Sequence, residues 1–234
     1  MTKLIAIHAN PGQPEDFNSL SKYLDSQKYE LMPINAHLDR WISIIEQSES
    51  PVVILAHSWG AYRFFQELPH LESKIAQIFL ISPWLKVEKP VPSFMRKLML
   101  VPILGHLLIK RTYRGSLKPF LKEFFHPTVG GAHPALKKTE EKLQSHWSSW
   151  YQVYRLTLLM QERPLQSIQT KVPITVIVGT RDAFVDANIQ LSLLNNTSQL
   201  KVRTLEGAGH CLLVTHAEQL AHLLHDERWQ VVHA

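Results

Sequence analysis

The sequence has little of what disulfide-stabilised and membrane-spanning proteins depend on. Among its 234 residues there is one cysteine, Cys211, which excludes an internal disulfide framework and favours a reducing compartment. No apolar run reaches the roughly 18 residues of a spanning helix. The first ten residues lack the long apolar stretch and the cleavage site of a signal peptide. We therefore expect a cytoplasmic protein.

Repeats, low-complexity segments and glycine-rich phosphate loops are also absent from the sequence, which argues against repeat arrays and P-loop nucleotide binding. What is there is ordinary for a globular protein, because 45% of the residues are hydrophobic and 19% are charged. Wholesale disorder is therefore not expected.

Charge is distributed unevenly along the chain. The formal net charge is +5, but residues 86–122 hold nine Lys and Arg against one acid, Glu88, which gives this segment +8 and leaves the rest at −3. Such a basic segment favours an anionic substrate, an anionic membrane surface or an acidic protein partner. The alternative is a solvated basic face without a partner. Nucleic acid is not an expected partner, because the bases cluster with apolar residues rather than with interleaved aromatic ones.

Short apolar runs alternate with longer amphipathic ones, a pattern typical of a parallel sheet covered by helices. The predicted strands are Leu4–His8, Tyr29–Ile34, Val52–Ala56, Ile75–Ile81, Ile174–Val178 and Lys201–Leu205. The predicted helices are Asp16–Leu24, Leu38–Gln47, Trp59–Leu68, Ala187–Leu194 and His216–Leu224. We expect an α/β fold with a doubly wound, mostly parallel sheet of about six strands.

About eighty residues between the fourth and fifth predicted strands break this alternation, since crossover connections are much shorter. The stretch contains helical apolar patterns at Phe94–Ile109 and from about Leu136 to Gln161. A loop between them carries Pro127, Gly130, Gly131 and Pro134. We predict that residues 84–170 form a helical lid inserted into a core made of residues 1–83 and 171–234.

The segment Val53–Ala61 places Ser58 between an apolar strand and an amphipathic helix, with Ala56 two residues before it and Gly60 two residues after it. A serine on a sharp strand-to-helix turn needs small residues at both positions, because strand and helix approach each other closely there. The helix directs its N–H groups and its positive dipole end towards a developing negative oxygen. A serine that only caps the helix is the alternative, but the strongly apolar strand before it favours a nucleophile.

This pattern resembles the nucleophile elbow of the α/β-hydrolase superfamily, Gly-x-Ser-x-Gly, with alanine in place of the first glycine. The resemblance covers nearly the whole chain. Asp182 follows the fifth predicted strand and His210 follows the sixth, which is the family's order of nucleophile, acid and histidine. It implies that Ser58 is the nucleophile, His210 the base and Asp182 the orienting acid, with Asp186 as a less favoured acid.

The resemblance also implies an oxyanion hole and a substrate pocket. The segment His8-Ala9-Asn10-Pro11-Gly12 is similar to the family's His-Gly-x-Pro-Gly loop, and it implies the backbone N–H groups of Asn10 and Trp59 as donors. Trp84 and Phe184 are candidates for substrate contact by their position. The family's usual N-terminal hairpin is missing, so the expected fold is a reduced α/β-hydrolase fold.

Within the family, serine at the elbow argues against epoxide hydrolases and dehalogenases, which carry aspartate there. We therefore expect a serine hydrolase that cleaves a carboxylic ester or thioester with an apolar acyl group through an acyl-enzyme intermediate, without a cofactor or a metal. Amide and carbon–carbon bond hydrolases of the same fold stay open. A non-catalytic protein that binds a membrane or an acidic partner through its basic segment is also open.

The apolar run Leu98–Ile109 suggests an apolar acyl pocket, and the flanking bases suggest an anionic group nearby. A helix that packs on the core is the alternative interpretation. The run is too short to span a bilayer but long enough to lie on one.

Other reactive side chains fit structural roles better than catalytic ones. Cys211 has no elbow around it and is expected to be a small packed residue. His216, His222 and His225 lie on a predicted helix without a cysteine or carboxylate set beside them, so we expect surface or core roles rather than a metal site.

Overall fold

The computed structural model of the chain describes residues 1–35, 40–124 and 147–226, together with residues 137, 141, 143 and 144. The predicted loop with Pro127, Gly130, Gly131 and Pro134 lies outside the described residues, as do Leu38 and Leu136, the first residues of two predicted helices.

A six-stranded parallel sheet forms the centre of the molecule. Its strands are β1 (Thr2–Ile7), β2 (Tyr29–Ile34), β3 (Val52–His57), β4 (Ile75–Ile81), β5 (Ile174–Gly179) and β6 (Leu200–Leu205). Their order in the sheet is β2-β1-β3-β4-β5-β6, and every neighbouring pair is parallel. The predicted fold class is confirmed, and each strand lies within two residues of its predicted bounds.

Nine helices accompany the sheet in the described part of the chain. They are α1 (Asn18–Ser21), α2 (Arg40–Glu46), α3 (Trp59–Leu71), α4 (Ser93–Leu100), α5 (Pro102–Phe124), α6 (Trp147–Glu162), α7 (Ala187–Leu191), α8 (Leu212–Thr215) and α9 (Ala217–Asp226). Short 3-10 turns occupy Pro14–Phe17, Glu72–Lys74 and Ser192–Leu194.

The first predicted helix, Asp16–Leu24, is wrong in part, because the segment forms a 3-10 turn followed by the single turn of α1. The hydroxyl of Ser21 donates to the carbonyl of Asn18 at 2.9 Å. A serine hydroxyl competes in this way with backbone N–H groups for a helical carbonyl, which disfavours a longer helix here.

Alternating side chains of the strands enter two different cores, as the period of two in a strand requires. Ile5 and Ile54 pack in the same core as Trp41 and Phe64 of α2 and α3. Leu4, Val53 and Leu55 pack in a second core with side chains of α1, α8 and α9, among them Leu20, Leu213 and Leu220. Both faces of the sheet are therefore covered, which is the doubly wound arrangement.

Helices α4, α5 and α6 lie between β4 and β5 in the chain and share a third core. Buried side chains of these helices, including Met99, Leu117 and Trp150, pack in one cluster with Ala9 and Cys211 from the loops after β1 and β6. This contact brings the three helices to the carboxyl-terminal edge of the sheet. The division into a core and a lid at residues 84–170 stays a prediction.

The apolar run Leu98–Ile109 does not form one continuous surface, and its expected place at an acyl pocket stays a prediction. Pro102 begins α5, so the run is divided between two helices. Met99 and Ile109 are buried, whereas Ile103 and Leu107 are exposed. Within α5 the helical period turns Ile109 to a different face from Ile103 and Leu107, and the break at Pro102 separates Met99 from them. No helix of the described ranges is long and apolar enough to cross a membrane.

Candidate active site

Ser58 occupies a strained turn between β3 and α3. Its backbone angles are φ 52° and ψ −121°, and among the described residues only Ser58 and Ser82 combine a side chain with a positive φ. L-residues with side chains avoid this region, so the surrounding structure must hold them in it. The backbone N–H of Ser58 donates to the carbonyl of Ile81 at 3.0 Å, and the backbone carbonyl of Ser58 accepts the N–H of Trp84 at 3.1 Å. The turn is thereby held by the ends of β3 and β4.

The small residues of the elbow have a steric reason. A Cβ atom on Gly60 would lie 2.5 Å from the carbonyl oxygen of His8 and 2.6 Å from that of Ile7. Helix α3 therefore begins directly against the end of β1. Ala56, two residues before Ser58, is fully buried. This close packing places the loop after β1 beside the elbow.

Three side chains from three separate strand ends form one hydrogen-bonded chain. The Oγ of Ser58 lies 2.7 Å from the Nε2 of His210, and the Nδ1 of His210 lies 2.8 Å from the Oδ2 of Asp182. Because an ionised carboxylate only accepts, the proton of a neutral His210 belongs on Nδ1. The Nε2 lone pair is then left to accept the hydroxyl of Ser58.

The Asp182 carboxylate is held in its ionised form. Burial acts to raise the pKa of this carboxyl, but the charge and hydrogen bond of His210 act against burial and the pKa is lowered overall. The Oδ1 atom also accepts the backbone N–H groups of Phe184 and Val185, at 3.0 and 3.1 Å. Asp182 therefore presents a fixed negative charge to the imidazole.

His57 belongs to the same cluster, and the sequence analysis missed it. Its Nε2 donates to the backbone carbonyl of His210 at 3.1 Å, and the two rings lie 5.6 Å apart. Burial, with a smaller contribution from the charge of His210, lowers the pKa of His57 to about 3. A neutral His57 thus holds the backbone of the loop that carries His210. The available signal was its place inside the elbow, directly before Ser58.

One predicted oxyanion donor lies within the elbow, and the other lies in the loop after β1 beside it. Trp59 is the first residue of α3, where backbone N–H groups point out of the helix end. Asn10 is buried in the loop after β1, and its side-chain amide donates to the carbonyl of Val153 on α6 at 3.4 Å. The loop that carries one predicted donor is therefore attached to the helices between β4 and β5.

Aromatic rings surround the imidazole of His210. Phe184 and Phe124 lie with their ring centroids 4.7 and 4.8 Å from it. Trp84 packs edge-on against Phe184 at 4.9 Å, so both predicted substrate-contact residues lie next to the site. Phe124 was missed, since nothing in the sequence links the end of α5 to His210. Ser58 itself is fully buried in the structure.

A cavity of about 620 Å³ lies between the loop after β1 and helix α6. Asn10 and Pro11 line one side, and Val153, Leu156 and Leu159 form apolar parts of the other. Arg155 contributes the guanidinium group of the lining. The cavity is large enough for a small organic ligand.

The alternative candidates occupy other roles. Asp186 caps α7, because its carboxylate accepts the N–H groups of Asn188 and Ile189. Cys211 is buried, its thiol donates to the carbonyl of Phe124, and burial raises its pKa. Among the described residues, no group of three or more His, Cys, Asp and Glu is placed to hold a metal ion.

Comparison with known proteins agrees with this architecture. The model of the alpha/beta hydrolase family matches residues 11–223. The chain belongs to the alpha/beta hydrolase family. The resemblance inferred from the elbow and from the order of the acid and the histidine is thereby confirmed, and membership supports a hydrolase activity. No match was found among curated proteins.

Solved structures of this hydrolase fold superpose on almost the whole chain. An esterase from Exiguobacterium antarcticum has 16% identity and a TM-score of 0.70, with 96% of this chain and 90% of that chain covered. An esterase from Thermogutta terrifontis has 14% identity and a TM-score of 0.69, with 96% and 88% covered. Epoxide hydrolase I of potato (Solanum tuberosum) has 17% identity and a TM-score of 0.60, with 96% and 92% covered.

These likenesses concern the fold alone. Since esterases and an epoxide hydrolase share the same arrangement, the fold does not decide which bond this hydrolase cleaves. Which bond is cleaved depends on the side chains at the elbow.

Proposed function

We propose that this protein is a serine hydrolase that cleaves a carboxylic ester or thioester with an apolar acyl group. The observation that carries the proposal is the hydrogen-bonded chain from Ser58 through His210 to Asp182. A serine hydroxyl paired with a neutral imidazole, which a carboxylate orients in turn, is the arrangement that activates serine for attack on acyl carbon. Ser58 in place of an aspartate favours ester over epoxide hydrolysis.

In the proposed first half-reaction, the Oγ of Ser58 attacks the carbonyl carbon while its proton passes to the Nε2 of His210. Asp182 stabilises the imidazolium that forms. The carbonyl oxygen becomes an oxyanion, for which we propose the backbone N–H groups of Asn10 and Trp59 as donors. His210 then gives the proton to the departing alcohol or thiol, which leaves the acyl group on Ser58.

In the second half-reaction, water takes the place of the departed group. His210 accepts a proton from water as the water oxygen attacks the acyl carbon. The tetrahedral intermediate collapses, the carboxylic acid leaves, and His210 returns the proton to Ser58. No cofactor takes part in either half of the proposed reaction.

The surroundings of the site support an apolar acyl group. The cavity beside Asn10, which Ser58 and His210 do not line, has Val153, Leu156 and Leu159 in its lining. We propose that it takes the acyl group, and Arg155 would suit an anionic group on the substrate. Ser58 is fully buried, and Phe124 and Phe184 pack against its partner His210, so we propose that a substrate displaces these rings to reach the serine. Apolar acyl chains replace aromatic contacts at little cost, so we propose residues 84–170 as the lid over an acyl site.

The test compares wild-type protein with Ser58→Ala on p-nitrophenyl acetate, octanoate and laurate, and on the matching acyl thioesters. We expect octanoate or laurate to exceed acetate in kcat/KM, and the variant to lose at least about 10⁴-fold in kcat. Ser82→Ala is the matched control, since Ser82 is also buried with a positive φ at a neighbouring strand end. It should retain most of the activity.

Two results would overturn the proposal. The first is equal turnover by wild type and Ser58→Ala. The second is a folded wild-type protein that cleaves none of these esters and thioesters, which would favour amide or carbon–carbon bond cleavage or a non-catalytic role.

A further inference from the structure

Exposed apolar side chains are concentrated at the junction of α4 and α5. Ten large hydrophobic residues are exposed in the described chain, and six of them lie between residues 94 and 107. We call these six the apolar tip: Phe94, Met95, Val101, Ile103, Leu104 and Leu107. Ile103 is 80% exposed and Phe94 is 73% exposed. Such a concentration marks an interaction surface, because scattered exposed residues would need no explanation.

The tip is held in place by packing on its inner side. Met99 and Ile109 are buried in the core shared with α6. A Cβ atom on Gly105 would lie 1.8 Å from the carbonyl oxygen of Met99, so α4 and α5 are in direct backbone contact. Arg96 pairs with Glu162 of α6. The exposure of the tip is therefore a property of two well-packed helices rather than of a loose segment.

Basic residues lie on the same two helices as the apolar tip. The 34 residues from Lys89 to Lys122 contain eight Lys and Arg and no acid. On α5, Ile103 and Leu107 are four residues apart, and Arg111 follows Leu107 at the same spacing, which puts the three on one face. Lys97 of α4 and Arg111 are both exposed. The exposed bases Lys97 and Arg111 thus follow the apolar tip along the two helices, and we call them the positive shoulder.

We propose that the apolar tip docks on the surface of an anionic lipid bilayer. In this arrangement Phe94, Ile103 and Leu107 enter the boundary between headgroups and acyl chains, and Lys97 and Arg111 lie at the level of the lipid phosphates. Apolar burial and attraction to anionic lipid act together in such interfacial binding. The helices lie on the membrane and do not cross it.

The observations favour a bilayer over a protein partner. Side chains that are three-quarters exposed project into solvent, and a protein would need a matching concave pocket for each of them, whereas a fluid bilayer accepts them without one. A symmetric pair of copies would bring two segments of +8 together, and this repulsion opposes self-association through the tip.

The surface proposal does not rest on the proposed reaction. Vesicle flotation reads binding and not turnover, and none of the residues tested below belongs to the candidate active site. The experiment therefore has the same meaning whether or not Ser58 is a nucleophile.

The test is flotation of the full-length protein with phosphatidylcholine vesicles that contain or lack phosphatidylglycerol. We expect binding to the anionic vesicles and a loss of binding as salt is raised. The paired change Ile103→Ser with Leu107→Ser should lower the partition coefficient by about tenfold or more. Its matched control is Tyr23→Ser with Val202→Ser, two exposed apolar residues elsewhere, which should bind as wild type.

A charge pair tests the shoulder separately. Lys97→Glu with Arg111→Glu should reduce binding to anionic vesicles by about tenfold or more. Lys22→Glu with Lys171→Glu makes the same change in net charge on other exposed sites and should reduce it far less. Equal losses in the two pairs would show non-specific attraction and overturn the proposal.

Two further results would also overturn it. One is the absence of flotation with anionic vesicles. The other is sedimentation of the free protein as an oligomer that the Ile103→Ser and Leu107→Ser pair converts to a monomer, because the tip would then be an interface between copies of this chain. Circular dichroism and thermal unfolding check that each variant is folded.

Discussion

The end of β3 and the junction of α4 and α5 depart from the usual burial pattern in opposite directions. At the end of β3, polar and ionisable side chains are buried: Ser58, His57 and His210 have almost no exposed surface. At the junction, large apolar side chains such as Ile103 and Phe94 are about three-quarters exposed. Ordinary folding favours neither arrangement.

The two regions differ in what offsets the cost of their unusual burial or exposure. Most of the buried polar atoms have partners inside the molecule, since His210 bonds to Ser58 and Asp182, and the Nε2 of His57 bonds to the backbone of His210. Among the described residues, the Nδ1 of His57 has no hydrogen-bond partner. Nothing in the described chain covers Ile103 or Phe94. A buried cluster of hydrogen-bonded polar groups is suited to chemistry on a bound molecule, whereas an uncovered apolar surface is suited to contact with a large external one.

The largest expected effect comes from removing the charge of Asp182, which hydrogen-bonds to His210 in the buried cluster. Asp182→Asn should lower kcat by about 10³–10⁴-fold, because an amide NH₂ turned towards Nδ1 favours the wrong tautomer of His210. Asp186→Asn makes the same chemical change four residues away, where asparagine caps a helix as well as aspartate does. Ester turnover by both variants is the measurement, and similar losses in both would contradict the role of Asp182 in orienting His210.

The next effect concerns the close packing that builds the elbow. Gly60→Ala places a Cβ 2.5 Å from the carbonyl oxygen of His8, and we expect it to destabilise the protein by about 1–3 kcal/mol. Gly115→Ala on α5 is the control, because a Cβ there meets nothing within 4 Å. It should stabilise the fold by up to about 1 kcal/mol. Chemical denaturation measures both, and a harmless Gly60→Ala would contradict the steric account.

The smallest effect is a change in the pH dependence of stability. The pKa of folded His57 is about 3, below its ordinary value of 6.5, so the unfolded chain binds the extra proton first and the free energy of unfolding falls as the pH drops through this range. His57→Gln keeps a hydrogen-bond donor but cannot titrate. We expect its slope between about pH 6 and pH 4 to be smaller than that of wild type by up to about 1.4 kcal/mol per pH unit.

Denaturation curves at several pH values measure this slope. Comparison with wild type isolates His57, since the lowered pKa values of His8 and His216 contribute equally to both proteins. Parallel slopes would mean that His57 is not buried and neutral in the folded state.

Much of the fold could be predicted because its signals are local. Continuous apolar runs such as Val52–Ala56 mark strands buried on both faces, and the parallel arrangement follows from their alternation with helices. The proximity of Ser58, Asp182 and His210 could also be predicted, since each follows a strand and the carboxyl ends of parallel strands meet at one edge.

The rest depends on distant contacts that leave no pattern in the sequence. The bond from His57 to the carbonyl of His210 joins residues 153 positions apart. The position of Phe124 against His210 depends on how α5 lies over the sheet. Their four-residue spacing would put Met99 and Ile103 on one face of a continuous helix. The break before Pro102 separates them, and it leaves Met99 buried and Ile103 exposed.

The most direct measurement of the central claim is the site of covalent labelling by a fluorophosphonate, read by intact mass and by fragment spectra of the peptide that contains Ser58. The account predicts one phosphonyl adduct per chain, on the Oγ of Ser58, with loss of ester turnover in proportion to labelling. A stoichiometric adduct on another side chain, or undiminished turnover after Ser58 is fully labelled, would contradict it.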